Sequence, residues 1–350
     1  MATTTLTIGN ELLSTTMHIV MKEWRDNVYT STAMLEAQTR VHGEGSPTQA
    51  GGTRIVQPLG FGEHSNTTRL QTGYERIDLS VSDVFQPAVY DFAHVVRPIA
   101  ISAEEEMTNQ GDAAVLSILE NRVTAVANAL KREYVKHMVQ GSVSGWEDWN
   151  TLNGIGSDTT NGFLENAAAG GGSQDSSVGG VSKATFSSKT GWNNQYFDGS
   201  DSFNSNGLAG LYDLMVEINA VSAQGNPNVI LASRAGFKNL KRSLQASERY
   251  MDEKSLDGGK MSTTFQGVPI DVEYYMPNAG TTSATTEASF YFLNMNDIYT
   301  LWDPKGYFDL SDFETVSGEY DVRAAKLRVR GQLIAKHLGS SGLAVNLDTF

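Results

Sequence analysis

Five residues between positions 202 and 213 have the types and spacing of a calcium loop. Ser202, Asn204, Asn206, Gly207 and Asp213 fall at positions one, three, five, six and twelve of an EF-hand. The first position is not acidic and the last is not Glu, so the site would carry little charge for a hard divalent cation. The competing assignment is structural: Asn204 or Asn206 caps a helix that follows. Two acidic pairs, Asp297 with Asp303 and Asp309 with Asp312, could be drawn together as a glycosidase dyad. With 40 acidic residues in the chain, such pairs arise without any catalytic role. Other signatures fail at a named residue. "GSVSG" (141–145) has Val143 where a nucleophile elbow needs Ser. "GGKMS" (258–262) has Met after its Lys and lacks the earlier glycine of a phosphate loop, and "GFGEHS" (60–65) has no third glycine for a dinucleotide turn. The six histidines are scattered, without a His-Glu-x-x-His. No catalytic, cofactor-binding or metal-ligating residue is assigned, and the expectation is a protein that is not an enzyme and uses no cofactor.

Composition narrows the classes further. The 350 residues suffice for a substantial core, and the absence of cysteine removes disulfides and thiolate chemistry. A net charge of -14 argues against sequence-independent binding of nucleic acid, which is driven by Lys and Arg. It does not exclude a protein that lives beside nucleic acid and must avoid sticking to it. No apolar run reaches the roughly 18 residues of a membrane span. The N-terminus lacks the basic start and unbroken apolar core of a signal peptide. The expectation is a soluble protein made in the cytoplasm, with no membrane partner.

The elements that would have to position any site are plainer than the motifs. Residues 1–44 form a polar, Thr-rich arm, in which Leu12, Leu13, Met17, Val20, Met21 and Trp24 recur at helical spacing. That stretch packs either on its own domain or on a neighbouring chain. Residues 45–72 are Gly-rich and polar and cannot bury enough surface to fold alone. They read as two arms of a hairpin around "PLGFGEHSN". Ile77, Leu79 and Val81 then alternate with Asp78, Ser80 and Ser82 like a strand. A long helix follows. Ser102 and Glu105 make a capping box, and Glu104, Glu105 and Glu106 suit the positive end of the dipole. Gly111 is a point of bending. Val115, Leu119, Val123, Val126, Leu130, Tyr134 and Met138 share one face, and Gly141 stops the helix. Thirty-odd helical residues would span about 45 Å.

Residues 142–205 are rich in Gly, Ser, Asn and Asp, yet hold Trp146, Trp149 and Trp192, three of the five tryptophans. A linker would not carry such side chains, so this is an insertion with anchored patches. From Gly207 the chain looks α/β. One helix carries Leu208, Leu211, Met215 and Ile218; "NVILAS" is a buried strand; Ser233 caps a second helix with Phe237, Leu240 and Leu244. "FQGVPIDVEYY" and "SFYFLNMNDIYTLWD" read as strands. The last long strand, "YDVRAAKLRVRGQLIAKH", turns Ala325, Leu327 and Val329 inward and Lys326, Arg328 and Arg330 outward.

This order of elements resembles the major capsid proteins of tailed bacteriophages, with the Hong Kong 97-type fold. The resemblance covers almost the whole chain and rests on the style and order of segments, not on an invariant signature. It implies an α+β fold with an N-terminal arm (1–44), an extended E-loop hairpin (45–80), and a peripheral (P) domain (81–205). The P domain holds a spine helix at about 102–140 and the insertion at 142–205. An axial (A) domain (206–310) and a return strand to the P domain with a C-terminal segment (311–350) complete it. "NPNVILASRAGFKNLKRSLQASERYM" and "FQGVPIDVEYYMP" look like the family's strand–helix and turn in the A domain. The implied function is a self-assembling subunit of an icosahedral virion shell around double-stranded DNA, assembled in the host bacterial cytoplasm. The implied partners are copies of itself in hexamers and pentamers, a portal, scaffolding protein and decoration protein, with DNA enclosed but not read by sequence. Some relatives carry a scaffolding segment before the arm; the expectation is that this chain has no room for one, with scaffold either separate or already removed. Others crosslink through an E-loop Lys, whereas residues 45–80 hold no Lys, only Arg54, Arg69 and Arg76. Those three arginines lie on an arm with few carboxylates, in a chain that is otherwise acidic. They are the expected intersubunit contacts.

Three other classes compete: an encapsulin-like compartment that houses a cargo enzyme, a secreted Gly/Ser/Asn-rich adhesive or carbohydrate-binding protein, and a carboxylate-dependent hydrolase. The long capped helix and missing secretion signal count against the adhesive protein, and the failed motifs against the hydrolase. The insertion and the Thr-rich arm lean to a virion over a compartment.

Overall fold

The computed structural model describes residues 33–61, 67, 69, 71, 73–74, 76–77, 84–108, 118–141, 143–154, 162–165, 177–183, 192–199, 203–222, 225–244, 263–276, 288–316, 321–347 and 350. A single long strand organises them. β16 (Val322–Ala335) pairs antiparallel over ten residues with β3 (Ala93–Ser102) on one side. On its other side it meets β13 (Ile298–Trp302), β14 (Asp309–Leu310) and β15 (Glu314–Thr315) in turn. Ala325, Leu327 and Val329 are buried, as the alternation predicts, and Lys326 and Arg328 face out. β3 is the edge strand of this sheet among the described residues. Its odd-numbered residues bond to β16, so Pro98 falls where a missing N–H removes nothing from the ladder.

The buried face of the sheet carries helix α3 (Ile118–Gln140), preceded by the short helix α2 (Ala103–Thr108). The expected helix of 102–140 is thus described in two pieces, and the bend at Gly111 lies outside the described residues. The capping box forms in both directions, with Ser102 N–H to Glu105 Oε2 at 3.2 Å and Glu105 N–H to Ser102 Oγ at 3.2 Å. Arg122 closes on the same carboxylate at 2.6 Å, which holds the Glu105 carboxyl down at about 2. Gly141 ends α3 with φ +81° and an N–H bond to His137 O of 2.8 Å.

Tyr134 of α3 is the hub of the core. Its ring meets those of Trp146, Trp149 and Trp302 at 5.9, 5.7 and 5.3 Å. Its hydroxyl bonds to Thr300 Oγ1 at 2.7 Å and donates to Gln38 Oε1 at 3.3 Å. Gln38 belongs to helix α1 (Ala33–His42), buried against its own chain. α1 lies inside the expected arm of 1–44, and the amphipathic stretch 12–24 lies outside the described residues.

The second sheet has six strands in the order β10 (Thr263–Phe265), β11 (Val268–Val272), β9 (Val229–Ala232), β12 (Ala288–Leu293), β17 (Gly342–Val345), β8 (Gln195–Asp198). One face packs under α4 (Phe203–Val221) and α5 (Arg234–Leu244) through Leu211, Ile218, Phe237, Leu240 and Phe290. The other joins the core around α3 through Leu231, Tyr291 and Leu343. Ser233 caps α5 through Gly236 N–H at 3.0 Å. "SFYFLNMNDIYTLWD" is two strands in different sheets, because Asn294 accepts from Asp297 and Ile298 and turns the chain between them. Residues 298–310 therefore pair with β16, while β17 and β8 join the six-stranded sheet from outside 206–310.

His137 and His337 give the core a pH dependence. Burial holds both imidazoles below their ordinary value, His137 while bonded to Trp149 O at 2.9 Å. Both Nδ1 atoms are buried without a partner among the described residues. The folded state favours neutral rings, so this stabilisation is complete above the unfolded value of about 6.5 and is lost as the pH falls below it. The urea midpoint should be lower at pH 5.5 than at pH 7.5, and less so in His137→Asn, His337→Asn. Equal midpoints for the parent protein would contradict the assignment.

Candidate intersubunit surface

Among the described residues, the acidic pairs and the calcium-like spacing are not assembled into a site. Asn204, Asn206, Gly207 and Asp213 lie within α4, where backbone carbonyls are taken up by the helix and cannot wrap a cation. The calcium-like spacing thus falls on a helix, and Asn204 and Asn206 lie inside that helix instead of capping it. Among the described residues, no group of three or more His, Asp or Glu could hold a metal ion. Asp297 and Asp303 flank the strand β13, about 20 Å apart at 3.3 Å per residue, too far for a dyad. Asp297 accepts from Asn294 Nδ2 at 3.2 Å, and Asp303 pairs with Arg330 at 2.7 Å. Asp309, on β14, is exposed.

What does stand out is a ribbon. β1 (Arg54–Gly60) pairs antiparallel with β2 (Phe85–Asp91) in a sheet of their own. The expected hairpin therefore closes on a partner beyond residue 80, not on the segment after "PLGFGEHSN". Ile77 is exposed and outside any strand, and residues 78–83, the rest of the predicted alternation, lie outside the described residues. Phe61 N–H bonds to Val84 O, which makes Pro58 opposite Pro87 a non-hydrogen-bonded pair. Two prolines thus sit in the ribbon with no ladder bond lost.

The two faces of the ribbon differ. Inward, Ile55, Leu59, Ala88 and Tyr90 are buried. The insertion packs against Ala88 and Tyr90 on this side. Val89 N–H donates to Gly179 O at 2.9 Å, and β6 (Ser177–Val178) and β7 (Val181–Ser182) turn at Gly179 and Gly180, with φ of +61° and +76°. Trp192 meets Phe61 edge-on at 5.6 Å and donates to Val181 O at 3.3 Å. Lys183 is fully buried. Its Nζ donates to Phe163 O at 2.8 Å and pairs with Glu165 at 3.4 Å, and burial lowers its pKa to about 8. The anchored patches expected of the insertion are thus a platform under the ribbon; residues 166–176 lie outside the described residues.

The root of the ribbon is fixed by Gln332 of β16. Its Nε2 donates to Asp91 O at 2.8 Å and Asp148 O at 2.9 Å, while Oε1 accepts from Asn150 N–H at 2.8 Å. Tyr90 OH donates to Ala335 O at 3.1 Å.

Outward, the register places Val56 opposite Val89, Pro58 opposite Pro87 and Gly60 opposite Phe85. Val56 is 58% and Phe85 78% exposed. This is a continuous apolar stripe, closed at its root by the Arg54–Asp91 pair at 2.8 Å. Arg54 is thus engaged within its own chain, while Arg69 and Arg76 are exposed on the connection between the strands. The stripe was missed in the sequence because the partner strand was; the Val-x-Pro and Pro-x-Val spacings were its only trace.

No family model and no curated protein matches the sequence. Solved structures do. The capsid asymmetric unit of cyanophage A-1(L) aligns with a TM-score of 0.67 over 98% of this chain and 99% of its own, at 13% identity. The capsid of a native GTA particle aligns at 0.61 over 95% of both chains, with 12% identity. The holo-SrpI encapsulin complex from Synechococcus elongatus aligns at 0.58 over 98% and 97%, with 11% identity. The chain has the Hong Kong 97-type capsid fold.

Gly179 is the tightest point of the platform. A Cβ there would lie 2.8 Å from Ala88 Cβ and 3.0 Å from the Tyr90 ring, on a left-handed backbone. Gly179→Ala should therefore cost about 1–3 kcal/mol in urea unfolding. An unchanged midpoint would mean that the insertion does not bear on the ribbon.

Proposed function

We propose that this chain is the major capsid protein of a tailed bacteriophage, a structural subunit that assembles with copies of itself into an icosahedral shell around double-stranded DNA. The observation that carries the reading is the outward apolar stripe of the β1–β2 ribbon. A two-stranded ribbon is marginal in water on its own, and an exposed apolar strip on it marks a surface meant to be covered. A neighbouring copy covers it in every subunit of a closed shell, so no ribbon is left bare. The neighbours' described assemblies, two capsids and an encapsulin complex, support the same role.

The finer parts of the reading follow from charge and position. Arg69 and Arg76 meet carboxylates of the copy beneath, each exposed pair contributing about 0.2–1 kcal/mol. Arg54 stiffens the root. Subunits form hexamers and pentamers, and portal, scaffolding and decoration proteins are its further partners. The shell assembles in the bacterial cytoplasm and resides in the virion. It encloses DNA without reading its sequence, which suits a chain of net charge -14. It performs no catalysis and holds no cofactor. Among the described residues, no helix is long and apolar enough to cross a membrane. The second reading is a compartment shell around a cargo enzyme, favoured by the encapsulin neighbour.

Electron microscopy of the purified protein should show closed shells, and particles from infected cells should contain nuclease-protected DNA. Shells filled with protein cargo would favour the compartment, and a lasting monomer would refute both. Two variants locate the cause. Val56→Lys with Val89→Glu keeps a favourable cross-strand pair but removes the stripe, and Arg69→Glu with Arg76→Glu reverses the arm. Each should melt within about 0.5 kcal/mol of the parent and fail to close shells. Normal shell yield from either would remove that surface from the account.

A further inference from the structure

The helix layer of the six-stranded sheet is segregated by charge. α4 and α5 lie side by side on one face, α4 over β8 and β17 at the end of the sheet and α5 over β12. α5 carries Arg234, Lys238, Lys241 and Arg242 and no acidic residue. In a chain of net charge -14 a helix with four cationic and no acidic residues is an exception. Arg234, Lys238 and Arg242 are exposed and recur every fourth residue, so they form one stripe. The guanidinium groups of Arg234 and Arg242 each rest 4.8 Å from an aromatic ring, of Tyr274 and Phe350, which restrains the ends of that stripe.

α4 is the opposite. It carries Asp213 and Glu217 and no basic residue, and both acids are exposed. Among the described residues, no ion pair engages either acid. Beside them Tyr212 is 52% and Val216 48% exposed, one turn apart, with Ala220 continuing the row.

We infer that α4 of one copy packs against α5 of a second copy, head to tail. The inference rests on the shell reading above and names a contact that the ribbon does not make. The spacings match: Asp213 and Glu217 stand one helical turn apart, as do Lys238 and Arg242, so both acids meet both cations in a single register. Tyr212 and Val216 then lie under the aliphatic stems of the two cationic side chains, which cover apolar surface while keeping their charges at the rim. Self-contacts are disfavoured, because α4 against α4 opposes acid to acid and α5 against α5 opposes cation to cation. Each copy offers one face of each kind, so the contact is heterologous and repeats around a ring.

The chain has no cysteine, which gives a clean background for the test. Val216→Cys and Lys238→Cys are made in separate chains, both checked for parental melting, mixed in the unfolded state and co-assembled. Under mild oxidation a disulfide-linked dimer should form in the mixture and in neither variant alone. A second arm uses charge. Asp213→Lys with Glu217→Lys, and Lys238→Glu with Arg242→Glu, should each abolish ring and shell formation, and all four changes in one chain should restore it. Shells without the mixed disulfide, disulfides within a single variant, or no rescue by the combined reversal would overturn the inference while leaving the shell reading in place. A parent chain that stays monomeric and forms no disulfide would overturn both.

Discussion

The ten-residue pairing of β3 with β16 is the constraint from which the rest of the molecule takes its shape. One face of that sheet must be covered, and the alternation of Ala325, Leu327 and Val329 decides which. α3 covers it and brings Tyr134 to the point where three tryptophans, two from the turn after α3 and one from β13, converge. β2 runs into β3 with only Phe92 between them, so the direction in which the ribbon leaves the body is set by the same ladder. Gln332, within β16, then fixes the ribbon root and the start of the insertion together.

A consequence is that the body can satisfy only one side of the ribbon. The insertion turns at two glycines with left-handed backbone and comes against Ala88 and Tyr90 on the buried side. Nothing among the described residues covers Val56 or Phe85. In an isolated protein that would be a liability for solubility and for the ribbon itself. In an assembly it is a reason to assemble, and the contact inferred between α4 and α5 would be a second, chemically different one.

What was legible in the sequence was local. The Ser102–Glu105 box, the Gly141 stop, the Ser233 cap and the inward set of β16 each depend on residues within one turn or one strand, and each is present. The burial of Trp146, Trp149 and Trp192 was legible too, because a mobile segment has no use for such side chains. What was not legible was pairing across distance. β8 and β17 pair in parallel within the six-stranded sheet, although one lies between residues 142 and 205 and the other near residue 345. The partner of β1 lies past a connection longer than a hairpin turn, so the apolar stripe could not be assembled on paper. The apparent single strand at 289–303 gave no sign that Asn294 would turn it between sheets. The calcium-like spacing at 202–213 failed for the converse reason: the pattern was right in number but fell on a helix.

The most direct test of the central claim is a reconstruction of the assembled protein by electron cryomicroscopy at a resolution that separates strands. The account places the β1–β2 ribbon of each subunit across a neighbouring copy, with Val56, Val89 and Phe85 against that neighbour. A closed particle in which the outer face of the ribbon points into solvent, or a protein that forms no particle at concentrations where the fold is intact, would contradict it.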